Sequence, residues 1–219
     1  MNLTQKLLVF DMDGVILNSL ENLSNCLIES VAKFCTSDKV YQEFKNYDIG
    51  NPGISRFGKV DYFLDLQKDV SDYKRESVYS SILEEFDRLS LQARLNSEID
   101  EAIFQFAKSD SDYNSVLLSN CDNQQLKIIS AQFGLHKVFE NRLIGTPPSK
   151  ETRMAQIMED YKPSKTYSIS DSESDATIAR KHEMTFVFIE RFARDKGEWC
   201  ADNELKFEKM SDFHSTLDW

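Results

Sequence analysis

The sequence LLVFDMDGVILNS, residues 7–19, places two aspartates directly after a continuous run of apolar residues. Such a run is typical of a strand that is buried on both faces of a parallel sheet, and Gly14 then supplies a turn. Asp11 and Asp13 are therefore predicted to follow the carboxyl end of a strand, with both side chains pointing the same way. Their negative charges repel each other unless a cation joins them, although Asp and Gly are also ordinary residues of a surface turn.

Length and composition favour one core with a smaller inserted domain. The chain has 219 residues, of which 41% are hydrophobic and 29% charged, as in a globular protein. Its formal net charge of −11 disfavours nucleic acid and anionic membranes as partners. The apolar segment before Asp11 is too short for a signal peptide or a membrane span, so a cytoplasmic location is expected. The four cysteines lack CxxC spacing, which argues against a zinc site and a disulfide framework.

Alternating helical and strand-like patterns begin at residue 97. In order they predict a helix capped by Ser97, a strand at 115–119, a helix ending at Gly134, a strand at 142–144, a helix after Pro148, a strand at 165–170, a helix from Ser172 and a strand at 184–189. This alternation predicts an α/β fold with a parallel sheet. The tail after Arg191 shows no clear pattern.

The segment between the first strand and residue 91 has a different pattern. Strand-like runs are absent from it, and apolar residues recur at helical spacing at Leu20, Leu23, Leu27, Val31, Tyr79, Ile82, Phe86 and Leu89. We therefore predict an all-helical insertion at residues 17–90. Residues 1–16 and 91–219 are predicted to form the α/β core.

Polar side chains follow several predicted strands. Ser119 and Asn120 end the strand at 115–119, Lys150 opens a helix, and Asp171 and Asp175 follow the strand at 165–170 at helical i,i+4 spacing. Because the carboxyl ends of parallel strands meet at one edge, these side chains are expected to converge with the first two aspartates. Each also has a simpler reading in isolation, since Ser, Asn and Asp cap helices and lysines are commonly solvated.

Taken in order, these residue sets resemble the motifs of the haloacid dehalogenase superfamily of phosphatases and phosphomutases, and the resemblance spans nearly the whole chain. FDMDGVILNS is similar to the first motif, LLSN to the second, the lysine of GTPPSK to the third and SDSESDA to the acidic fourth. The helical insertion is placed as in the branch of phosphoglycolate phosphatase and β-phosphoglucomutase. The resemblance implies a Rossmann-like three-layer core, with residues 17–90 as a cap that closes over the substrate.

The resemblance also implies catalytic roles. Asp11 would attack phosphorus to give an aspartyl phosphate, and Asp13 would protonate the leaving oxygen and later activate water. Ser119, the backbone at Asn120 and Lys150 would stabilise charge on the transferring phosphoryl group. These roles imply a phosphatase that acts on a small phosphorylated metabolite, a sugar phosphate or a small phosphorylated acid.

A magnesium site is implied by the same resemblance. Mg²⁺ prefers hard oxygen ligands, and it would be held by Asp11, the backbone carbonyl of Asp13 and Asp171, with Asp175 in support. Such an ion would join carboxylates that otherwise repel each other. In the predicted cap, Arg56 could bind a second anionic group of the substrate, although a solvent-facing arginine is an equally simple reading.

Three alternative activities stay open at this point. Phosphomutase chemistry would use the same aspartyl phosphate, and only substrate tests separate it from hydrolysis. A dehalogenase is disfavoured because those relatives generally lack the second aspartate, present here as Asp13. A receiver-like signalling module also uses acidic residues, a hydroxyl and a lysine around Mg²⁺, but its phosphoacceptor lies in the middle of the chain.

Overall fold

The computed structural model describes residues 6–51, 54–67, 72–107 and 113–217. The chain forms two compact units, one of Met1–Ser19 with Ser97–Trp219 and one of Leu20–Asn96. The predicted domain boundaries lie after residues 16 and 90, and that division and the role of the helical segment as a cap stay predictions.

Both units are defined by the helices and strands of the described residues. The strands are β1 (Lys6–Phe10), β2 (Tyr113–Asp122), β3 (Leu143–Thr146), β4 (Lys165–Ser170), β5 (Thr185–Ile189) and β6 (Leu205–Phe207). The α-helices are α1 (Leu20–Ala32), α2 (Asp38–Gly50), α3 (Arg56–Leu66), α4 (Asp72–Leu95), α5 (Asn123–Phe133), α6 (His136–Phe139), α7 (Lys150–Tyr161), α8 (Glu173–Lys181) and α9 (Met210–His214). A 3-10 helix at Glu101–Phe106 precedes β2.

All six strands form one parallel sheet in the order β3-β2-β1-β4-β5-β6. The first strand lies inside the sheet, where Phe10 pairs with Leu117 of β2 and Ile169 of β4. Because the strands are parallel, the residues that follow β1, β2 and β4 emerge at the same edge. The predicted α/β fold with a parallel sheet is confirmed.

Helices cover both faces of the sheet. Leu7 and Val9 of β1 point to one face and pack in a buried cluster with residues of α7 and α8. Phe10 points to the other face, where its ring lies 5.0 Å from the ring of Phe106 and 5.7 Å from that of Phe139. This alternation follows from the two-residue period of a strand, and it gives the predicted three-layer core.

The helix predicted from Ser97 is wrong in its start and type. The structure has a 3-10 helix that begins at Glu101, and the side chain of Asp100 caps it by accepting a hydrogen bond from the amide of Ala102. The preceding residues are extended because Ile99 pairs with Leu17 in an antiparallel bridge. A pairing between segments this distant along the chain leaves no local pattern in the sequence.

Other element boundaries also differ from the predictions. The strand predicted at 115–119 runs from Tyr113 to Asp122, and the strand predicted at 142–144 lies at Leu143–Thr146. The tail that showed no pattern contributes β6 and α9 to the α/β unit. Strand β6 was missed because its residues are exposed or half-buried at the edge of the sheet, so they carry no apolar run. The predicted end of the helix at Gly134 is confirmed, since α5 ends at Phe133 and Gly134 caps it in a left-handed conformation, with φ of 71°.

The unit Leu20–Asn96 has a core of its own. The described residues of this unit form helices and no strands, which confirms the predicted all-helical insertion. Phe44 and Phe63 meet edge to face at 5.3 Å inside it. A buried ion pair joins Lys59 to Asp48 at 2.7 Å, and the hydroxyl of Ser24 donates to the same carboxylate. Among the described residues, no helix is both long and apolar enough to cross a membrane.

Candidate active site

Asp11 begins the loop that follows β1, and its side chain is 14% exposed. The sheet fixes its backbone, because its amide donates to the carbonyl of Ile169 at 2.9 Å. One carboxylate oxygen, Oδ1, accepts a hydrogen bond of 2.8 Å from the amide of Met12. The carboxylate is therefore held at the carboxyl edge of the sheet, as the sequence predicts.

Lys150 joins two of the predicted carboxylates. It is the first residue of α7, behind the N-cap Ser149, and its side chain is 9% exposed. Its Nζ lies 3.0 Å from Oδ1 of Asp11 and 2.6 Å from Oδ2 of Asp175. Burial alone would lower the pKa of Lys150, but the charges of Asp11 and Asp175 outweigh burial and raise it. The lysine is therefore a fixed positive charge at the sheet edge.

Asp175 is held in the first turn of α8. Its amide donates to the hydroxyl of Ser172, and its Oδ2 accepts a hydrogen bond of 2.5 Å from the hydroxyl of Ser170. Burial would raise the pKa of Asp175, but the charge of Lys150 and the hydrogen bonds from Lys150 and Ser170 lower it. Ser170 was missed in the sequence, although its place at the end of the strand next to β1 is a usable signal.

The predicted i,i+4 relation between Asp171 and Asp175 is wrong. Helix α8 begins at Glu173 because Ser172 takes the N-cap position, so Asp171 precedes the helix instead of lying on its face. Asp171 still belongs to the acidic cluster, since the charges of Asp11 and Asp175 both act on its carboxyl.

The cluster carries more negative charge than Lys150 balances. The pKa of Asp11 is raised from 3.8 to about 7, first by burial and then by Asp175 and Asp13, against the opposing effect of Lys150. Burial, together with the charges of Asp11 and Asp175, raises the pKa of Asp171 well above its usual value. A bound cation would relieve this repulsion, and carboxylate oxygens suit a hard divalent ion such as Mg²⁺.

A metal at this edge would need ligands besides these side chains. Among the residues that the structure describes, no group of three or more His, Cys, Asp or Glu side chains forms a site that could hold a metal ion. The set predicted from the sequence differs from such a group, because it combines the carboxylates of Asp11 and Asp171 with the backbone carbonyl of Asp13. That mixture of oxygen donors fits Mg²⁺, which usually takes one or two carboxylates and keeps several waters.

Asp13 is oriented by a residue that the sequence reasoning missed. The buried hydroxyl of Ser19 donates a hydrogen bond of 2.6 Å to Oδ1 of Asp13. The turn between them is closed by Gly14, whose amide donates to the carbonyl of Leu17 and whose φ is 83°. An L-residue is strained at such a φ, so the glycine lets the chain return towards Asp13.

Ser119 and Asn120 lie at the same edge, near the end of β2. The hydroxyl of Ser119 is buried and accepts a hydrogen bond of 3.1 Å from the amide of Cys121. The amide oxygen of Asn120 accepts a hydrogen bond of 3.0 Å from Arg153 of α7. The sequence reasoning missed Arg153, although it is three residues after Lys150 and therefore on the same side of the helix.

Arg56 belongs to the unit Leu20–Asn96, where it is the first residue of α3. Its guanidinium lies 3.6 Å from the carboxylate of Asp87 and packs over the rings of Phe57 and Phe86. These contacts join the side chain to other residues of its own unit. The predicted contact between Arg56 and substrate stays a prediction.

Comparisons with known proteins rest on structure. No family model matches the chain, and no curated protein matches its sequence. A haloacid dehalogenase-like family hydrolase from Streptococcus pneumoniae matches with a TM-score of 0.70 and 12% identity. A predicted phosphoglycolate phosphatase from Haemophilus somnus matches with a TM-score of 0.72 and 15% identity. A hydrolase from Pseudomonas syringae matches with a TM-score of 0.72 and 13% identity.

These matches extend over whole chains. They cover 97%, 97% and 98% of this chain, and 98%, 97% and 98% of the respective neighbour. This chain has the haloacid dehalogenase fold. Within that fold, the structure brings Asp11, Lys150 and Asp175 into direct contact at the carboxyl edge of the sheet.

Proposed function

We propose that this chain is a magnesium-dependent phosphatase that hydrolyses a small phosphate monoester through an aspartyl phosphate on Asp11. The observation that supports this most is the contact of 3.0 Å between Lys150 and Asp11 at the sheet edge. A buried carboxylate beside a buried ammonium group places a nucleophile and a cation together, and transfer of an anionic phosphoryl group uses both. The shared haloacid dehalogenase fold supports the same proposal.

In the first step, a carboxylate oxygen of Asp11 attacks phosphorus and the bond from phosphorus to the ester oxygen breaks. Asp13 gives its proton to the leaving oxygen, so an alcohol departs and Asp11 carries the phosphoryl group. Ser19 keeps Asp13 near one orientation through its hydrogen bond of 2.6 Å.

In the second step, water attacks the phosphorus of the aspartyl phosphate and Asp13 accepts the proton from that water. The bond between phosphorus and the oxygen of Asp11 breaks, which restores the carboxylate and releases inorganic phosphate. Ser119, Asn120 and Lys150 hold the phosphoryl oxygens in both steps by donating hydrogen bonds and positive charge.

The magnesium ion would be held by Asp11, the backbone carbonyl of Asp13 and Asp171. Asp175 would support the site indirectly, since its carboxylate already accepts hydrogen bonds from Lys150 and Ser170. When bound, the ion would neutralise charge on the phosphoryl oxygens and lower the raised pKa values of Asp11 and Asp171.

The substrate class proposed here is a small phosphorylated metabolite, either a sugar phosphate or a phosphorylated organic acid. One structural neighbour is a predicted phosphoglycolate phosphatase, which favours testing phosphorylated acids first. Residues 17–90 would act as a cap over the site, and Arg56 would bind a second anionic group of the substrate. The net charge of −11 argues for a small substrate rather than nucleic acid. A cytoplasmic location is proposed with it.

A screen of phosphate monoesters with Mg²⁺ tests this function. We expect release of inorganic phosphate from a generic aryl phosphate and faster release from one metabolite in the screen. Asp11→Asn is the matched control, because it keeps the shape of the side chain and removes the nucleophile. Conversion of a sugar phosphate into its isomer without free phosphate would indicate a mutase instead. Absence of turnover with every ester would overturn the proposal.

A further inference from the structure

Arg153 has an unusually complete set of hydrogen bonds for a buried arginine. It lies on α7, three residues after Lys150, and is 4% exposed. Its Nε donates to the carbonyls of Pro148 (2.8 Å) and Ser149 (3.3 Å), its Nη1 to those of Ser119 (2.6 Å) and Ile144 (3.1 Å), and its Nη2 to Oδ1 of Asn120 (3.0 Å).

These acceptors come from three separate segments. Ser119 and Asn120 lie near the end of β2, Ile144 lies in β3, and the remaining acceptors form the turn that precedes α7. A single side chain thus ties the predicted phosphate-binding groups of β2 to the helix that presents Lys150. Arginine suits this position because its planar group offers five N–H donors in a fixed geometry, whereas lysine offers three from one atom.

The positive charge of Arg153 acts on the acidic cluster as well. Burial lowers the pKa of Arg153, while the negative charges of Asp11 and Asp175 oppose that effect. Burying a cation is costly unless hydrogen bonds and opposite charges compensate it, and here both are present. The site therefore contains a second fixed cation besides Lys150, held among carbonyl groups by the bonds described above.

We propose that Arg153 is a positioning residue for phosphate binding. Its hydrogen bond to Oδ1 holds the side chain of Asn120, and this fixes the residue whose backbone is predicted to bind phosphate. Through the carbonyl of Ser119 it also fixes the end of β2 relative to Lys150. This inference rests on the proposed function, because it takes Ser119, Asn120 and Lys150 as the groups that bind phosphate.

The experiment measures inorganic phosphate binding by calorimetry and aryl phosphate hydrolysis with Mg²⁺. Arg153→Met removes the donors and the charge but keeps a long side chain, and Arg153→Lys restores the charge without the planar group. Loss of a hydrogen bond to a charged group costs roughly tenfold or more in affinity. We therefore expect Arg153→Met to raise the dissociation constant of phosphate at least about tenfold, with partial rescue by Arg153→Lys.

Arg142→Met is the matched control for general damage at this side of the sheet. Arg142 also joins β2 to the segment before β3, since its Nη1 donates to Asn114 at 2.8 Å and its Nε to the carbonyl of Phe139 at 3.2 Å. Its contact to β2 is near the start of that strand, away from the carboxyl edge. We expect Arg142→Met to lower the melting temperature but to keep phosphate affinity and turnover.

A double-mutant cycle with Asn120→Ala separates positioning from general loss of structure. If Arg153 acts through Asn120, Arg153→Met should weaken phosphate binding in the Asn120→Ala background by much less than in the wild type. Full additivity, or wild-type phosphate affinity in Arg153→Met, would overturn the inference. A wild-type protein that binds phosphate but hydrolyses no ester would overturn the proposed function, and the phosphate affinities of the double-mutant cycle could still be compared. Active wild type with an unaffected Arg153→Met variant would overturn the inference alone.

Discussion

The buried hydroxyl of Ser19 donates a hydrogen bond of 2.6 Å to the carboxylate of Asp13. Ser19 is the last residue of the first segment of the α/β unit, and helix α1 of the helical unit begins at the next residue. The proposed acid and base is therefore bonded to the residue at which the chain leaves the α/β unit. Its orientation depends on the backbone at that point.

Ser19→Ala should weaken acid catalysis more than nucleophilic attack, because it removes a hydrogen bond to the carboxylate of Asp13 without touching Asp11. We expect kcat for an alkyl phosphate, which needs a proton on its leaving oxygen, to fall on the order of tenfold, as for loss of a hydrogen bond to a charged group. An aryl phosphate with a good leaving group should lose less in its phosphorylation step. Ser19→Thr, which keeps the hydroxyl, should restore much of the rate. Equal losses on both esters would contradict this role.

Substitution of Asp11 and substitution of Asp13 should block different steps of the reaction. Asp11→Asn should abolish phosphoenzyme formation, since the nucleophile is gone. Asp13→Asn should still form an aspartyl phosphate from a substrate with a good leaving group, but hydrolysis should slow by about 10² to 10⁴, the usual effect of a positioned base. Rapid mixing should then give a burst of leaving group with Asp13→Asn. A burst with Asp11→Asn would overturn the assignment of the nucleophile.

Lys150→Met should reduce both stability and activity. It leaves the buried carboxylates of Asp11 and Asp175 without their shared cation, and breaking one side of a buried ion pair typically costs about 3 to 5 kcal/mol. Urea denaturation in a chelator measures the loss. Lys181→Met is the matched control, since Lys181 forms an exposed ion pair with Glu151, and it should change the free energy of unfolding little. Equal changes in the free energy of unfolding for the two substitutions would show that Lys150 does not stabilise the fold.

Hydrolysis should require Mg²⁺ and stop when a chelator removes it. Asp171→Asn, which alters a proposed ligand, should raise the Mg²⁺ concentration needed for half-maximal rate more than Asp175→Asn does. For Asp175→Asn we expect about 10- to 100-fold, the usual effect of a group that supports metal ligands. Titration of the rate with Mg²⁺ measures both. Full activity in chelator would contradict the metal assignment. If Asp175→Asn needed the same Mg²⁺ concentration as the wild type, Asp175 would have no role in metal binding and would act only as the ion-pair partner of Lys150.

The metal-free protein should lose stability as pH rises towards neutral. The pKa of Asp11 is raised from 3.8 to about 7, so between these values the folded state binds the proton more tightly than the unfolded state. The contribution of Asp11 to the free energy of unfolding is therefore present at low pH and lost as pH rises through about 7. Urea denaturation at several pH values should show a steeper fall in wild type than in Asp11→Asn. Parallel curves would contradict the raised pKa.

Much of the α/β unit was predictable because its central strands are short apolar runs with polar residues directly behind them. This pattern locates Asp11, Ser119 and Asp171 at the carboxyl ends of strands without any knowledge of the sheet. The N-cap and C-cap signals are local as well, so the stop at Gly134 and the start of α7 at Lys150 could be found.

The parts that could not be predicted depend on contacts between distant residues. The pairing of Leu17 with Ile99 cannot be seen in either segment alone, and it keeps the chain just before Glu101 extended, where the helix from Ser97 was predicted. Arg153 was missed because a buried arginine on an amphipathic helix has the same local sequence as a solvated one. The edge strand β6 lacks an apolar run, since its residues are only exposed or half-buried.

The central position of β1 has a consequence for how this chain folds. Lys6 pairs with Tyr113 and with Lys165, so both neighbours of the first strand lie in the second half of the sequence. The helices of Leu20–Asn96 share a buried core of their own, and the contacts of that core can form before β2 is synthesised. Contacts between residues far apart in sequence slow folding, because a long loop must close before they form. On the ribosome, the strand that precedes Asp11 is therefore made before its partners and pairs only after β2 and then β4 have been synthesised.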